Sequence, residues 1–281
     1  MNDQLRRRSL GAPAARSILL TVLGEYVLPR GDPVWQETLV AALGALDYSE
    51  HAARQALARS VRDGWLESER RGRRARVRLT PATAELLSTG AGRIYAFGEP
   101  WEWDGEWLIV VVRVPEARRE LRHQLRTQLA WAGLGSLGGG VWLTPHGDRE
   151  QELSALVDAE SAAEVVSFRG HIGSLGEPRK VAEEAWDLDA VAQRYEDFIA
   201  RFSRARPSSA AGCFRAQTEL VHEWRRFPFL DPDLPGGLLA PGWPRRRAHD
   251  LFLDRHQRWA TAARDYFEGL EDGVVAPGAA A

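Results

Sequence analysis

Lysine is almost missing from this 281-residue chain: of 37 basic residues only Lys180 is a lysine, and cysteine and methionine occur once each. A single cysteine, Cys213, excludes an internal disulfide and a cysteine-based zinc site, leaving a packed bystander or a reactive thiol as its roles. No apolar run approaches the roughly 20 residues that span a bilayer. The N-terminal Arg6, Arg7 and Arg8 precede no signal-peptide core, because Ile18 to Leu23 is cut short by Gly24 and Glu25. These absences place the chain in the cytoplasm, with no membrane partner. Catalytic signatures are missing too. There is no Gly-x-Ser-x-Gly, no P-loop and no paired carboxylate set; His222-Glu223 opens a zinc-protease motif whose second histidine is replaced by Arg226. His249 and His256 lie two helical turns apart without carboxylates at ligand spacing. We therefore expect no enzyme, no cofactor and no metal.

What the chain does have is arginine, concentrated. The overall net charge is −2, yet between Arg54 and Arg78 nine arginines face three acids, Asp63, Glu67 and Glu69. The local pattern gives that charge a shape. Ile18, Leu19, Val22, Leu23 and Tyr26 recur at helical intervals and stop at Pro29; Trp35, Leu39, Val40 and Leu43 form a second helical pattern ending near Gly44. Ser49 stands at an N-cap position before a third helix, Glu50 to about Asp63, whose apolar side is Ala53, Ala56, Leu57 and Val61. Its opposite side carries Arg54, Gln55, Ala58, Arg59 and Arg62 on one face. Beyond Gly64 the period changes to two short strands around Arg71-Gly72-Arg73. Three helices and an arginine-rich hairpin predict a winged helix-turn-helix with a basic duplex-binding face. The alternative is a solvated arginine-rich surface of no special role.

The middle of the chain predicts a strand at Trp107 to Val114, a helix at Glu116 to Trp131, strands at Leu134 to Leu137 and Val141 to Thr144, a helix near Arg149 to Val157, and a strand near Glu164 to Phe168. The order β, α, β, β, α, β suits a ferredoxin-like sandwich. Gly133, Gly135 and Gly138 match GxGxxG, but a helix precedes them and a strand follows, the reverse of a dinucleotide site. A tight connection is the better reading. A linker is expected around Gly90 to Pro100. From Val181 onward three amphipathic helical stretches are expected: one through Trp186, Tyr195 and Ile199, one through Phe214 and Trp224, and one from Arg245 to Leu270. The fold class is thus α+β and multidomain.

Seven ordered blocks resemble the PaaX family of bacterial transcriptional repressors: YVLPRGDPVW from Tyr26, LARSVRDGWLESERRGRRARVRLTP from Leu57, RIYAF from Arg93, WDGEWLIVVVRVPEARRELR from Trp103, GVWLTPH from Gly140, AWDLDAVAQRYEDFIARF from Ala185 and LVHEWRRFPFLDPDLP from Leu220. The resemblance covers Ala14 to Leu270. It implies a winged helix-turn-helix at 14–90, a ferredoxin-like middle domain at 91–176 similar to the small CRISPR-associated nuclease, and a helical C-terminal domain at 177–272, between a disordered arm at 1–13 and a disordered tail at 273–281. It also implies a homodimer on inverted-repeat double-stranded operator DNA, released in the family's namesake by phenylacetyl-CoA. Where those nucleases carry a metal-binding aspartate at the end of the first strand, this chain has Arg113, which cannot ligate a metal. A retired nuclease scaffold used for dimerisation or signal relay is the expectation; an active metal-dependent nuclease is the alternative, as is a regulator controlled by a protein partner.

Within that frame, DNA contacts are expected from Arg54, Gln55, Arg59 and Arg62 of the third helix and from Arg70, Arg71, Arg73 and Arg74 of the wing. An acyl-CoA effector joins phosphates to an apolar group, so its site should join cations to aromatic walls. His222, Trp224, Arg225 and Arg226, with Tyr195 and Trp186 as neighbours, have that chemistry. The competing reading of those six is an arginine–aromatic cluster that packs the helical region.

Overall fold

The computed structural model describes residues 14–151, 153 and 164–275. In chain order its elements are α1 (Ala15–Val22), extended by a π-helical turn at Leu23–Val27, β1 (Val34–Trp35), α2 (Gln36–Ala45), α3 (Glu50–Arg62), β2 (Leu66–Arg71), β3 (Arg74–Leu79), α4 (Pro81–Ala96), β4 (Trp107–Arg113), α5 (Arg119–Trp131), β5 (Gly135–Gly138), β6 (Val141–Thr144), β7 (Glu164–Gly170), α6 (Pro178–Ala185), α7 (Leu188–Arg204), α8 (Ala210–Trp224), the single turn α9 (Phe227–Leu230) and α10 (Arg245–Val275). The expected arm at 1–13, most of the helix expected near Arg149 to Val157, and the end of the tail lie outside the described residues. α10 continues past Leu270 to Val275.

These elements pack as two units that do not follow the chain in sequence. Among the described residues, the first gathers 14–96, Arg201–Arg225 and 250–275; the second gathers those within Phe97–Ala200 and Arg226–His249.

In the first unit, α1, α2 and α3 bury Leu19, Val22, Leu23, Leu39, Leu43, Ala53, Ala56 and Leu57, and the same core takes in Phe214 of α8 and Phe267 of α10. The three-stranded sheet runs β1-β3-β2 with antiparallel neighbours. Two sequence expectations are revised here. The first helical pattern does not continue as a plain α-helix to Pro29: at Leu23 it widens into a π turn, closed by Leu28 N–H on the Leu23 carbonyl at 2.8 Å. The wider turn lets adjacent side chains both meet α8, Tyr26 Oη lying 3.2 Å from Thr218 Oγ1 while Glu25 Oε2 accepts from Gln217 at 3.4 Å. The linker expected from Gly90 is helical as far as Ala96. Tertiary contacts override its glycines: Trp224 Nε1–H donates to the Ile94 carbonyl at 3.0 Å, and Tyr95 Oη donates to Glu25 at 2.5 Å.

The second unit holds a four-stranded sheet in the order β5-β6-β4-β7, antiparallel at every pairing. Leu108, Val110 and Val112 of β4 pack on Leu125 and Leu129 of α5. Trp107, Leu143 and Ala182 belong to a second apolar cluster with Leu234 and Leu238 from the proline-dense loop. The GxGxxG lookalike has a packing explanation: Gly133 and Gly138 adopt positive φ, and a Cβ on Gly135 would stand 2.5 Å from the Trp186 ring. The expected continuous helix through Trp186 is two helices. Asp187 breaks it, its carboxylate accepting the Ala190 N–H at 3.1 Å as an N-cap.

Asp231 orders the proline-dense loop. It accepts from Tyr195 Oη at 2.6 Å and from Arg245 Nε and Nη2, each at 2.8 Å, and Arg245 Nη1 reaches Asp233 at 2.9 Å. Burial, reinforced by the Asp231 charge, pushes the Tyr195 phenol far above its usual range. Breaking this pair leaves a carboxylate uncompensated in a site where its side chain is 1% exposed. Arg245→Met should therefore cost about 3–5 kcal/mol in urea unfolding; an unchanged midpoint would show that the pair contributes nothing to the second unit.

Candidate nucleic-acid interface

The third helix begins where its cap predicts. Ser49 has extended backbone, and its Oγ accepts the Ala52 N–H at 3.2 Å. The turn that separates α2 from α3 needs one left-handed residue, and Asp47 supplies it at φ 68°. With Ala53, Ala56 and Leu57 buried against α1 and α2, the opposite face of α3 is committed to solvent: Arg54, Gln55, Ala58, Arg59 and Arg62 are all exposed. At the far end, Arg16 of α1 stacks over Trp65 at 3.8 Å and pairs with Asp63 at 2.7 Å, fixing how the helix passes into the wing. Sequence reasoning missed Arg16, since nothing local links it to residues nearly fifty positions on.

The wing is a hairpin in register Arg71↔Arg74, Glu69↔Arg76 and Glu67↔Arg78, turned by Gly72 at φ 65° followed by Arg73. Glycine at the first central position with positive φ is the requirement of a type II′ turn. Neighbouring acids and inward contacts decide which arginines keep a free charge. Arg78 is paired with Glu67 at 2.6 Å and Arg71 with Glu69 at 2.7 Å. Arg74 turns toward the protein: its guanidinium lies 5.8 Å from the Trp35 ring and donates to the Val274 carbonyl of α10. Arg76 does likewise, over Trp35 at 5.3 Å and on the Pro33 carbonyl.

The eight expected DNA contacts thus fall into three groups. Arg59, Arg70 and Arg73 are exposed, and their side chains have no intramolecular hydrogen bond or ion pair among the described residues. Arg54, Gln55, Arg62 and Arg71 are exposed but engaged, Arg54 with Glu50 at 2.7 Å, Gln55 with His51 at 2.8 Å and Arg62 with Asp63 at 3.3 Å. Such exposed pairs are worth at most about 1 kcal/mol and yield readily to a phosphate. Arg74 alone is half-buried and committed to the fold.

The six residues grouped as a possible effector site are not gathered in one place within either unit. In the first unit, His222 Nδ1 lies 3.0 Å from Thr21 Oγ1, Trp224 stacks on Phe252 with centroids 4.8 Å apart, and Arg225 donates to the Ser17 carbonyl at 2.7 Å and its Oγ at 2.9 Å. In the second, Tyr195 stacks on Phe227 at 4.2 Å, Trp186 covers Gly135, and Arg226 is the N-cap residue of α9. Among the described residues, no group of three or more His, Cys, Asp or Glu is placed to hold a metal, and no helix is long and apolar enough to cross a membrane.

A capped helix flanked by a basic hairpin on a three-helix core is the architecture of a transcriptional regulator. Family models match in three consecutive stretches: PaaX-like protein over residues 14–83, PaaX protein central Cas2-like domain over 100–182, and PaaX-like protein C-terminal domain over 186–269. The transcriptional repressor PaaX of Escherichia coli is 30% identical over 258 residues, spanning 88% of this chain and 81% of that protein. The chain belongs to the PaaX family of transcriptional repressors, and is a regulator rather than an enzyme. In fold it is similar to the uncharacterized protein Rv0674 from Mycobacterium tuberculosis, with a TM-score of 0.62, 22% identity, and coverage of 91% of this chain and 99% of that one.

The division of wing arginines is testable by stability. Arg74→Ala should lower unfolding free energy by about 1–2 kcal/mol through loss of a hydrogen bond and an aromatic contact. Arg73→Ala, with nothing to lose, should stay within about 0.5 kcal/mol of the parent chain. Equal melting temperatures for the two would contradict the inward placement of Arg74.

Proposed function

We propose that the chain is a ligand-responsive repressor that binds inverted-repeat double-stranded operator DNA as a homodimer, with α3 in the major groove and the β2–β3 wing on the adjoining backbone. The observation that carries this reading is the trio of exposed arginines whose side chains have no partner among the described residues, Arg59 on the helix and Arg70 and Arg73 on the wing, on a chain whose net charge is −2. Unpaired guanidiniums on a rigid platform lose no intramolecular partner when they meet a phosphate or a guanine edge. Arg59, one turn beyond Gln55 on the exposed face, is assigned to base contact, together with Arg54 and Gln55 once their surface pairs open. Arg62, Arg70, Arg71 and Arg73 are assigned to phosphates.

The domain reading that goes with this is a DNA-binding domain at 14–90, a ferredoxin-like middle domain at 91–176 and a helical domain at 177–272. The strand order β5-β6-β4-β7 supports the middle assignment, because in a split βαβ sandwich the first strand lies between the third and the fourth. Arg113, exposed at the end of β4, suits a scaffold without catalytic metal. An acyl-CoA thioester such as phenylacetyl-CoA is the proposed effector. It would act by binding the DNA-incompetent state more tightly than the DNA-bound one.

Fluorescence anisotropy on the duplex upstream of the protein's own gene, at fixed salt, tests the assignments. Arg59→Ala should cost about 1–3 kcal/mol on the cognate sequence and little on random DNA. Arg73→Ala should weaken both alike and reduce the slope of log affinity against log salt by about one. An equal loss on both duplexes from Arg59→Ala would refute base contact by this residue. Selective binding abolished by phenylacetyl-CoA is the expected effector response; binding indifferent to it would remove the thioester from the account.

A further inference from the structure

Within the first unit, a cavity of about 270 Å³ opens between the π turn of α1, α4, α8 and α10. Its walls are mostly aliphatic: Leu28, Leu87, Ala91, Ile94, Val221 and Ala260. One side is polar: Glu25 accepts from Tyr95 Oη at 2.5 Å and from His256 Nε2 at 2.9 Å, while the buried Gln217 Oε1 has no hydrogen-bond partner among the described residues. Two arginines also line it. Arg225 is held on Ser17, whereas Arg264 is exposed and has no hydrogen bond or ion pair among the described residues.

Volume limits what fits. An apolar cavity of about 150 Å³ holds a benzene ring, so 270 Å³ accommodates a substituted ring or a short acyl chain but not an adenine nucleotide as well. The unpaired Arg264 would meet an anionic or carbonyl group on the part of such a ligand nearest solvent. The cavity also touches the machinery that carries the basic face. Leu20, Thr21 and Gly24 of its wall belong to α1 or its π turn, and α1 buries Leu19, Val22 and Leu23 in the same core as Ala53, Ala56 and Leu57 of α3. Arg225, on the opposite wall, holds the first turn of α1 through the Ser17 carbonyl and hydroxyl.

We propose that this cavity is the effector site, taking a small ring or short acyl chain that carries an anion, and that its occupancy shifts α1 and with it the DNA-contacting helix α3. The proposal rests on the ligand-responsive reading above and gives that response a location, of which only Arg225 belongs to the residue group drawn from sequence. The ligand chemistry has two sources, a free carboxylic acid or the acyl end of a thioester whose nucleotide stays outside. A ligand bound here acts on DNA affinity only as far as the two positions of α1 bind it unequally.

The test uses the full chain, with calorimetric titration of phenylacetate and of phenylacetyl-CoA and anisotropy on the upstream duplex. Ala260→Phe fills the cavity from α10, and Arg264→Ala removes the unpaired cation without touching the core. The expected result is that Ala260→Phe weakens the probe that binds the parent chain by about tenfold or more, and Arg264→Ala by several-fold, while both variants bind ligand-free operator as the parent does. Which probe binds distinguishes acid from thioester. If Ala260→Phe does not fold, Arg264→Ala decides alone. Parent-like ligand affinity in the variants would overturn the cavity while leaving the ligand-responsive reading intact. A parent chain that binds neither probe would overturn that reading and the cavity with it.

Discussion

The first unit depends on one carboxylate. Glu25 sits in the π turn after α1 and accepts from Tyr95 of α4 at 2.5 Å, from His256 of α10 at 2.9 Å and from Gln217 of α8 at 3.4 Å. A charge with only 11% of its side chain exposed is tolerated because three donors replace the water it has lost. Those donors come from segments far apart in the chain, so the interaction draws the C-terminal helices onto the N-terminal three-helix core. Helix α3 is presented by a platform built from both N-terminal and C-terminal helices, which is why the units are discontinuous in sequence.

Arginine without lysine is used in two ways on that platform. Planar guanidiniums stack where ammonium groups would not: Arg16 on Trp65, and Arg74 and Arg76 beside Trp35. These residues brace the joint between helix and wing. The remainder of the local charge excess is trimmed by Glu67, which pairs with Arg78 across the hairpin, and by Glu69, which pairs with Arg71 along β2, leaving the Arg59, Arg70 and Arg73 side chains without an ion pair among the described residues. On the proposed reading of this face, the trimming would serve specificity, because fewer free charges leave less of the sequence-independent part of DNA binding.

Local signals were legible and distant ones were not. The cap at Ser49, the helical face of α3, the turn at Gly72 and the positions of the middle segment's strands all follow from short-range period and turn chemistry. The π turn was hidden because its cause is contact with α8 and α10. α4 was obscured by Gly90 and Gly92, whose low helical preference is outweighed by the Ile94 and Tyr95 contacts. The wing arginines looked equivalent in sequence, and only the contacts of Arg74 with Trp35 and the Val274 carbonyl separate it from Arg73. The residues from His222 to Arg226 looked like one site because they are neighbours in sequence. On a helix, successive side chains point about 100° apart, and His222, Trp224 and Arg225 accordingly meet Thr21, Phe252 and Ser17.

The central claim is that the exposed face of α3 and the tip of the wing form the surface that meets DNA. Its most direct measurement is photo-crosslinking to the operator duplex from a reactive side chain placed singly at position 59, at position 73, or at position 122 on the exposed face of α5. The account predicts crosslinks to bases within each half-site from position 59, to flanking nucleotides from position 73, and none from position 122. Crosslinking from position 122 with silence at 59 and 73 would place the DNA on a different face of the protein and contradict it.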